Sequence, residues 1–256
     1  MQDLSITLVQ STQAWENKAG NLVHFEKHLA TIEHSDLILL PEMFHTGFSM
    51  DAETLAETMK ATGIAWLKKM SREKNTAIYT SLIVKEEEQY FNRGVFVQPD
   101  GLVHVYDKQK RFALAGEDLV YSAGTKNTIV NWRGWNIKLQ ICYDLRFPEI
   151  ARNSVDADGH AEYDVLLYVA NWPERRALHW KSLLVARAIE NQCYVAGLNR
   201  VGTDGNGLTY SGDSMVVDAL GTVHGCAPSM EEIKTVTLNY KDLMTVRQQL
   251  PFLKDK

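Results

Sequence analysis

Apolar and polar residues follow two different periods along the chain, and these periods predict strands and helices in turn. Residues 4–8 alternate with a period of two, as in a half-buried strand. Residues 17–32 carry apolar side chains three or four positions apart, which is the spacing of a helix. Residues 36–40 are a short apolar run that stops at Pro41, which favours a buried strand ending there.

The same rhythm continues through the rest of the chain. It predicts further helices over residues 54–70, 177–190 and 240–249. It predicts further strands over residues 76–84, 89–98, 102–106, 137–141, 164–170, 192–198, 214–218, 222–224 and 234–238. This alternation is typical of an α/β fold. So many strands approach the limit of roughly ten for one open sheet, which favours two sheets.

No linker rich in proline, glycine and serine divides the 256 residues. Four glycines fall among the eleven residues 202–212, but strands are predicted on both sides of them. We therefore interpret that segment as a loop near a functional site and expect residues 1–256 to form a single domain.

Composition excludes several classes of partner. The chain has 27 Lys and Arg against 32 Asp and Glu, a net charge of −5, so we expect no nucleic-acid partner. No apolar run approaches the roughly 18 residues of a membrane span, so we expect no membrane association. Cys142, Cys193 and Cys226 cannot all pair with one another, which predicts free thiols and a cytoplasmic location.

Metal and nucleotide cofactors are also not expected. The eight histidines form no H-E-x-x-H pattern or similar ligand set. The glycine-rich segment lacks the lysine of a phosphate-binding loop. The sequence therefore predicts chemistry carried by side chains alone.

Three ionisable residues stand just past apolar strands, where α/β folds expose functional groups. Cys142 can act as a nucleophile if a base removes its proton, and Glu42 can be that base. Lys108 can stabilise an oxyanion as a point charge. The alternative for a lone cysteine at a strand end is a small buried apolar residue.

The residues that follow Cys142 favour the catalytic interpretation. Residues 143–149 (YDLRFPE) are dense in charge directly after a buried strand, and Asp144 and Arg146 have the spacing to pair. Pro148 and Glu149 are suited to the first turn of a helix. The alternative is a surface turn with a weak salt bridge.

These phrases resemble the nitrilase (carbon–nitrogen hydrolase) superfamily, which is defined by a Glu–Lys–Cys triad. Residues 40–44 (LPEMF) match the glutamate motif, residues 106–108 (YDK) the lysine motif and residues 141–149 (ICYDLRFPE) the cysteine motif. Residues 179–180 and 187–192 also resemble the family, so the likeness covers nearly the whole chain.

The resemblance is closest to the omega-amidase branch, through residues 41–49 (PEMFHTGFS) and 115–117 (AGE). Those enzymes hydrolyse the terminal amide of small dicarboxylic-acid monoamides, typically 2-oxo acids such as 2-oxoglutaramate or 2-oxosuccinamate. Relatives commonly carry His-Leu-Phe shortly after the lysine, where this chain has Lys110, Arg111 and Phe112. This difference bears on the charge of the pocket and hence on the substrate.

The resemblance implies a four-layer α-β-β-α sandwich that associates as a homodimer. It also implies that Glu42 is the base, Cys142 the nucleophile that forms a thioester, and Lys108 with the backbone N–H of Tyr143 the oxyanion site. We assign Glu117, nine residues beyond the lysine, as the second glutamate that supports the lysine or positions the substrate.

The carboxylate of such a substrate requires a cationic partner, and arginine binds carboxylates in a bidentate manner. Among residues near the motifs we predict Arg111 and Arg175 as cationic substrate contacts, with Arg176 a further candidate. Phe44 and Trp172 are predicted to wall a small pocket.

Three other interpretations stay open at this point. The first is another amidase of the same superfamily, one that takes aliphatic amides or N-carbamoyl compounds. A Cys–His–Asp hydrolase of another α/β fold is disfavoured because residues 140–144 (QICYD) lack the glycines of a G-x-C-x-G elbow. A catalytically silent binding protein on the same scaffold is disfavoured by the intact triad.

Overall fold

The computed structural model describes residues 2–255 and places strands and helices in alternation. The strands are β1 (Leu4–Gln10), β2 (Leu37–Leu39), β3 (Ala77–Glu86), β4 (Gln89–Val97), β5 (Val103–Asp107), β6 (Ile129–Trp132), β7 (Trp135–Ile141), β8 (Val165–Ala170), β9 (Tyr194–Asn199), β10 (Val201–Thr203), β11 (Thr209–Ser211), β12 (Met215–Val217), β13 (Val223–Gly225) and β14 (Glu232–Leu238). The α-helices are α1 (Lys18–Ala30), α2 (Ala52–Leu55), α3 (Thr62–Lys74), α4 (Glu117–Val120), α5 (Pro148–Ala151), α6 (Ala177–Asn191) and α7 (Tyr240–Gln249). None of these helices is long and apolar enough to cross a membrane.

Two six-stranded sheets form the centre of the molecule. The first has the order β14-β1-β2-β3-β4-β5 and the second the order β13-β12-β9-β8-β7-β6. Each sheet has a parallel trio, β1-β2-β3 in the first and β7-β8-β9 in the second, with antiparallel strands outside it. Two pairs of strands that are neighbours in the sequence form hairpins, since β3 pairs with β4 and β12 with β13 in antiparallel register.

The two sheets pack face to face through one large apolar core. Leu8, Leu39 and Phe96 of the first sheet belong to the same buried cluster as Leu139 and Leu167 of the second. The hydroxyl of Tyr79 crosses this interface and donates to the backbone carbonyl of Gln140 at 2.9 Å. Strand β8 is buried along its whole length and is a continuous apolar run, whereas β1 and β7 alternate apolar and polar residues.

Helices cover the outer face of each sheet. Phe25 and Leu29 of α1 and Leu67 of α3 pack on the first sheet, and Trp180 and Leu184 of α6 pack on the second. The approach of α6 to β9 is so close that a Cβ at Gly197 would lie 2.5 Å from Leu184. The predicted four-layer α-β-β-α sandwich is confirmed.

The helix predicted over residues 54–70 is wrong in its extent. The structure has a short α2, an extended link and then α3, which runs to Lys74. Glu57 in the link donates its N–H to Ile83 and accepts from the N–H of Lys85, so the chain pairs with the end of β3 instead of coiling. The Glu57 carboxylate then receives the N–H of Gly63 in the first turn of α3.

Residues 202–212 contain a small hairpin rather than an irregular loop. Strands β10 and β11 pair in antiparallel register from Val201–Ser211 to Thr203–Thr209. Glycine at 207 and 212 has positive φ, which lets the chain turn at both ends of β11. This hairpin contributes one wall of the cavity described below.

Candidate active site

The topology brings the predicted catalytic residues to one edge of the sandwich. Glu42 follows β2 and Lys108 follows β5. Two antiparallel pairings separate β5 from β3, so β5 runs in the same direction as β2 and both strands end at the same edge. Cys142 directly follows β7 of the facing sheet. The site therefore lies where the two sheets meet.

Lys108 stands between two carboxylates. Its Nζ donates to Glu42 Oε1 at 2.9 Å and to the two carboxylate oxygens of Glu117 at 2.8 and 2.9 Å. All three side chains are almost completely buried. Burial acts to lower the pKa of Lys108, but the charges of Glu117 and Glu42 outweigh it and hold that pKa above its ordinary value. The lysine is thus a permanent ammonium group.

An asparagine that the sequence analysis missed fixes the two carboxylates. The amide of Asn92 on β4 donates to Glu42 Oε1 at 2.7 Å and to Glu117 Oε1 at 3.2 Å. The backbone N–H of Phe112 donates to the other oxygen of Glu117 at 2.6 Å. The signal for it in the sequence was weak, because β4 also contains other polar residues, and only its burial shows that this amide requires partners.

Cys142 begins a tight 3₁₀ turn that spans Cys142–Arg146. Its backbone has φ of 41°, a left-handed conformation that is uncommon for a non-glycine residue and is typical of functional turns. The carboxylate of Asp144 fixes this turn by accepting from the N–H of Ile141 at 3.0 Å, the N–H of Lys110 at 2.9 Å and the hydroxyl of Tyr106 at 2.8 Å.

Asp144 consequently does not pair with Arg146, although their spacing allowed it. The Arg146 guanidinium lies over the ring of Trp172 at 4.6 Å and contacts His179 Nδ1 at 3.1 Å. Asp144 instead joins the cysteine turn to the loop that follows Lys108. A buried carboxylate with three donors is a stronger constraint than an exposed ion pair.

The thiol and the base share one neighbour, Asn171, which follows β8. Cys142 Sγ lies 3.9 Å from the Asn171 carbonyl oxygen, and the Asn171 N–H donates to Glu42 Oε2 at 2.9 Å. Burial raises the pKa of the Cys142 thiol well above its ordinary value, and the charge of Glu42 raises it further, against the effect of Lys108. The resting thiol is therefore protonated and requires a base at the moment of attack.

These residues form the floor of a cavity of about 570 Å³. We use "floor" for Glu42, Lys108, Glu117 and Cys142, of which Lys108 and Cys142 line the cavity directly. Apolar walls come from several segments and include Phe48, Phe112, Tyr143, Trp172 and Leu208. A volume of this size suits a small molecule.

Three arginines line the same cavity, and we call Arg146, Arg175 and Arg176 its "mouth". Within residues 2–255, none of the three guanidinium groups forms a salt bridge with a carboxylate. Burial lowers the pKa of Arg176, and the neighbouring charges of Arg175 and Arg146 lower it further. Three carboxylates also line the cavity, and each accepts a hydrogen bond from a group other than these arginines: Glu16, Asp51 and Asp204. A concentration of cations without salt bridges favours an anionic ligand.

The four predicted substrate contacts divide into two pairs. Trp172 and Arg175 line the cavity, as does Tyr143. Phe44 does not, because the left-handed backbone of Met43 turns it into the core, where it stacks on Trp66 at a centroid distance of 5.4 Å. Arg111 does not either, because its Nη1 donates to the carbonyls of Asp118 and Tyr121 at 3.3 and 3.1 Å.

The chain is similar to known proteins over most or all of its length. The chain is 44% identical to the omega-amidase YafV of Yersinia enterocolitica, over 100% of this chain and 97% of that protein. It is 32% identical to a 2-oxoglutaramate amidase of Bacillus subtilis, over 87% and 85% of the two chains. The crystal structure of XC1258 from Xanthomonas campestris, a CN-hydrolase superfamily protein with an arsenic adduct in its active site, superposes with a TM-score of 0.97 at 42% identity, over 100% and 98% of the two chains.

A family model described as carbon-nitrogen hydrolase matches residues 5–248. This range includes every strand from β2 to β14 and every residue of the floor and the mouth. The chain therefore belongs to the carbon–nitrogen hydrolase family and is a hydrolase that acts on a linear amide.

Proposed function

We propose that the enzyme hydrolyses the terminal amide of a small dicarboxylic-acid monoamide, of the 2-oxoglutaramate or 2-oxosuccinamate type, to the acid and ammonia. One observation carries this proposal. The cavity holds a buried cysteine beside a Glu–Lys–Glu cluster at its floor and three arginines without salt bridges at its mouth. The first arrangement suits amide hydrolysis, and the second suits a carboxylate at the far end of the substrate. The names of the relatives support the same substrate class.

In the first step Glu42 accepts the thiol proton of Cys142, and the sulfur attacks the amide carbon. Glu42 Oε1 is occupied by Lys108 and Asn92, whereas Oε2 receives a single N–H, from Asn171. We therefore assign Oε2 as the atom that takes the proton. General-base assistance of this kind contributes typically 10²–10⁴-fold in rate.

The attack converts the carbonyl oxygen into an oxyanion. Lys108, held as an ammonium group, and the backbone N–H of Tyr143 are the donors that we assign to it. Tyr143 is the second residue of the 3₁₀ turn, and the first N–H groups of a helical turn have no partner within that turn. Donors fixed in place before the reaction stabilise the developing charge most effectively.

Collapse of the tetrahedral intermediate breaks the carbon–nitrogen bond. Glu42 returns its proton to the leaving nitrogen, ammonia departs and a thioester on Cys142 remains. Glu42 then removes a proton from water, which attacks the thioester carbon, and the acid leaves as the thiol is restored. Glu117 contributes to these reaction steps through Lys108, whose position and charge it fixes.

For recognition of the substrate carboxylate we propose Arg175 and add Arg176, with Trp172 as an apolar wall. Arg176 is only partly exposed and lies over the ring of Phe112 at 5.1 Å, so its guanidinium is held towards the cavity. A planar guanidinium binds a carboxylate through two parallel hydrogen bonds. Phe44 and Arg111 are not part of this proposal.

Assembly and location remain predictions. We propose a homodimer of a single-domain chain that requires no cofactor, and light scattering of the purified protein measures the mass of the assembly. We also propose a cytoplasmic location, which is supported by the three free cysteines. Fractionation of cells that express the chain tests it.

An ammonia-release assay over a panel of amides tests the substrate assignment. The panel contains 2-oxoglutaramate, 2-oxosuccinamate, glutamine, asparagine, an aliphatic amide and an N-carbamoyl amino acid. We expect the two 2-oxo acid monoamides to give the highest kcat/KM. A preference for an aliphatic amide or an N-carbamoyl compound would contradict the substrate class and leave the reaction class standing.

Cys142→Ala tests the mechanism independently of the substrate. We expect turnover to fall to background, because no other thiol lines the cavity within residues 2–255. Cys193→Ala is the matched control, since that thiol is buried in the core beneath α6. Substantial hydrolysis by purified Cys142→Ala would overturn the assignment of the nucleophile.

A further inference from the structure

Four side chains from three separate segments meet near the surface. They lie on the outer face of the first sheet, which faces away from the second sheet. Ser11 directly follows β1, His24 and His28 lie one turn apart on α1, and Glu231 directly precedes β14. The register explains the meeting, because Gln10 at the end of β1 pairs with Glu232 at the start of β14. The helix α1 then packs back over the end of β1.

The distances between these groups resemble those of a metal-ligand set. His24 Nε2 lies 3.1 Å from His28 Nε2 and 3.5 Å from Glu231 Oε1. Zinc bound tetrahedrally at about 2.0–2.1 Å from each ligand places its ligand atoms about 3.3 Å apart. The two observed separations lie on either side of that value.

Ser11 contacts all three other members of the cluster. Its Oγ lies 2.7 Å from His24 Nε2, 2.9 Å from His28 Nε2 and 2.9 Å from Glu231 Oε1. A hydroxyl has one hydrogen to donate, so it satisfies the carboxylate while both imidazoles face it. The alternative role of the cluster is to hold β1, α1 and β14 together by hydrogen bonds alone, and the experiment below separates that role from metal binding.

We propose that His24, His28 and Glu231 bind a divalent transition-metal ion of the zinc type, with Ser11 Oγ or a water at the fourth position. Two imidazoles and one carboxylate form a known ligand set for zinc, whereas magnesium and calcium prefer oxygen ligands to imidazole. Histidines four residues apart on a helix present both rings on one face.

The site is accessible and has support around its ligands. The side chains of His24 and Glu231 are 34% and 41% exposed, so an ion can enter without opening the fold. Glu231 Oε1 also receives the N–H of Thr12 at 2.9 Å and its hydroxyl at 2.7 Å. Such outer partners orient a ligand before the metal arrives.

This site is separate from the cysteine cavity but is linked to it along the chain. Gln13, two residues beyond Ser11, donates its side-chain amide to the backbone carbonyls of Glu42 and Met43 at 3.1 and 3.0 Å. An ion that fixes the end of β1 therefore also restrains the segment that supports the catalytic base. We expect zinc to raise the melting temperature of the protein as binding to the native state does in general.

Calorimetric titration of the full-length protein with zinc tests the proposal. We expect the wild-type protein to bind one zinc ion per chain at this site. The affinity for zinc should be lower by roughly tenfold or more in His28→Ala. Glu231→Gln is a second variant that keeps the side-chain shape, in case His28→Ala fails to fold by circular dichroism. A rise in melting temperature with zinc should disappear in the same two variants.

Two controls separate this site from other zinc ligands. Cys142→Ser removes the reactive thiol, and His160→Ala removes the imidazole of the exposed group formed with Asp156 and Asp158. We expect both variants to retain the ion. Binding that survives in His28→Ala and Glu231→Gln, that is lost in either control, or that is absent from the wild-type chain in excess zinc would overturn the proposal.

Discussion

The floor and the mouth of the cavity are built on opposite physical principles. At the floor every charge is buried and has a partner, with Lys108 held between Glu42 and Glu117. At the mouth three guanidinium groups lie together, partly or largely exposed, without salt bridges. A buried charge must be compensated within the fold, whereas water solvates an exposed charge until a ligand binds. We therefore assign the chemistry to the floor and, under the proposed function, recognition of the substrate carboxylate to the mouth.

The largest expected effect lies at the floor. Glu42→Gln keeps the shape of the side chain but removes the base, so we expect kcat to fall by about 10²–10⁴-fold or more. Steady-state kinetics with the best amide of the panel measures it. Glu117→Gln is the matched comparison, because it changes the other carboxylate on Lys108 but leaves the base in place. A smaller loss in Glu42→Gln than in Glu117→Gln would contradict our assignment of roles.

At the mouth the expected effect is smaller and falls on KM. Arg176→Ala removes a charge-assisted hydrogen bond, of about 1.5–3 kcal/mol, so we expect KM for a monoamide to rise by roughly 10–100-fold. KM for a neutral aliphatic amide should stay nearly constant, since that substrate has no carboxylate. Arg176→Lys should recover part of the loss. An equal rise for both substrates would indicate damage to the pocket and not loss of a carboxylate contact.

We expect Asp144, in the turn that carries the nucleophile, to make the stability of the folded protein depend on pH. Burial raises the pKa of Asp144 to about 6, although its three hydrogen-bond donors oppose the rise. The folded state then binds this proton more tightly than the unfolded state, where the pKa is about 4. The stability from this group is present below about pH 4 and is lost as the pH rises through 6, a change on the order of 3 kcal/mol.

Denaturant unfolding of the wild type and of Asp144→Asn at several pH values checks this prediction. The free energy of unfolding of the wild type minus that of Asp144→Asn should fall as the pH rises from 4 to 7. A constant difference would mean that the three donors keep Asp144 ionised throughout. The measurement thereby decides whether hydrogen bonds or desolvation control this carboxyl.

The smallest expected effect concerns Arg111, which was predicted as a substrate contact and does not line the cavity. Arg111→Ala removes hydrogen bonds to the carbonyls of Asp118 and Tyr121, so we expect a loss of about 1 kcal/mol in stability. Thermal unfolding measures that loss. KM for the monoamide should not change. A rise in KM comparable to that of Arg176→Ala would indicate that Arg111 does contact the substrate.

The sequence predicted the elements with strong periodicity and missed those that depend on distant partners. Strands such as β8 and helices such as α6 were evident because buried surfaces require long apolar runs or a repeating apolar face. The link between α2 and α3 was read as helix because its residues have no local signal for pairing. Glu57 becomes extended only because β3 offers it a free edge.

The same division applies to the site. The sequence by itself determined the reaction class, because Glu42, Lys108 and Cys142 stand in specific phrases at strand ends. It could not rank Phe44, Arg111, Arg175 and Arg176, since which face a side chain takes in a loop depends on contacts far along the chain. Tertiary structure alone brought Asn92 and Asn171 to the base and gathered the three arginines around one cavity. Strand ends are fixed by local pattern, whereas the orientation of loop side chains is fixed by the packing of the two sheets.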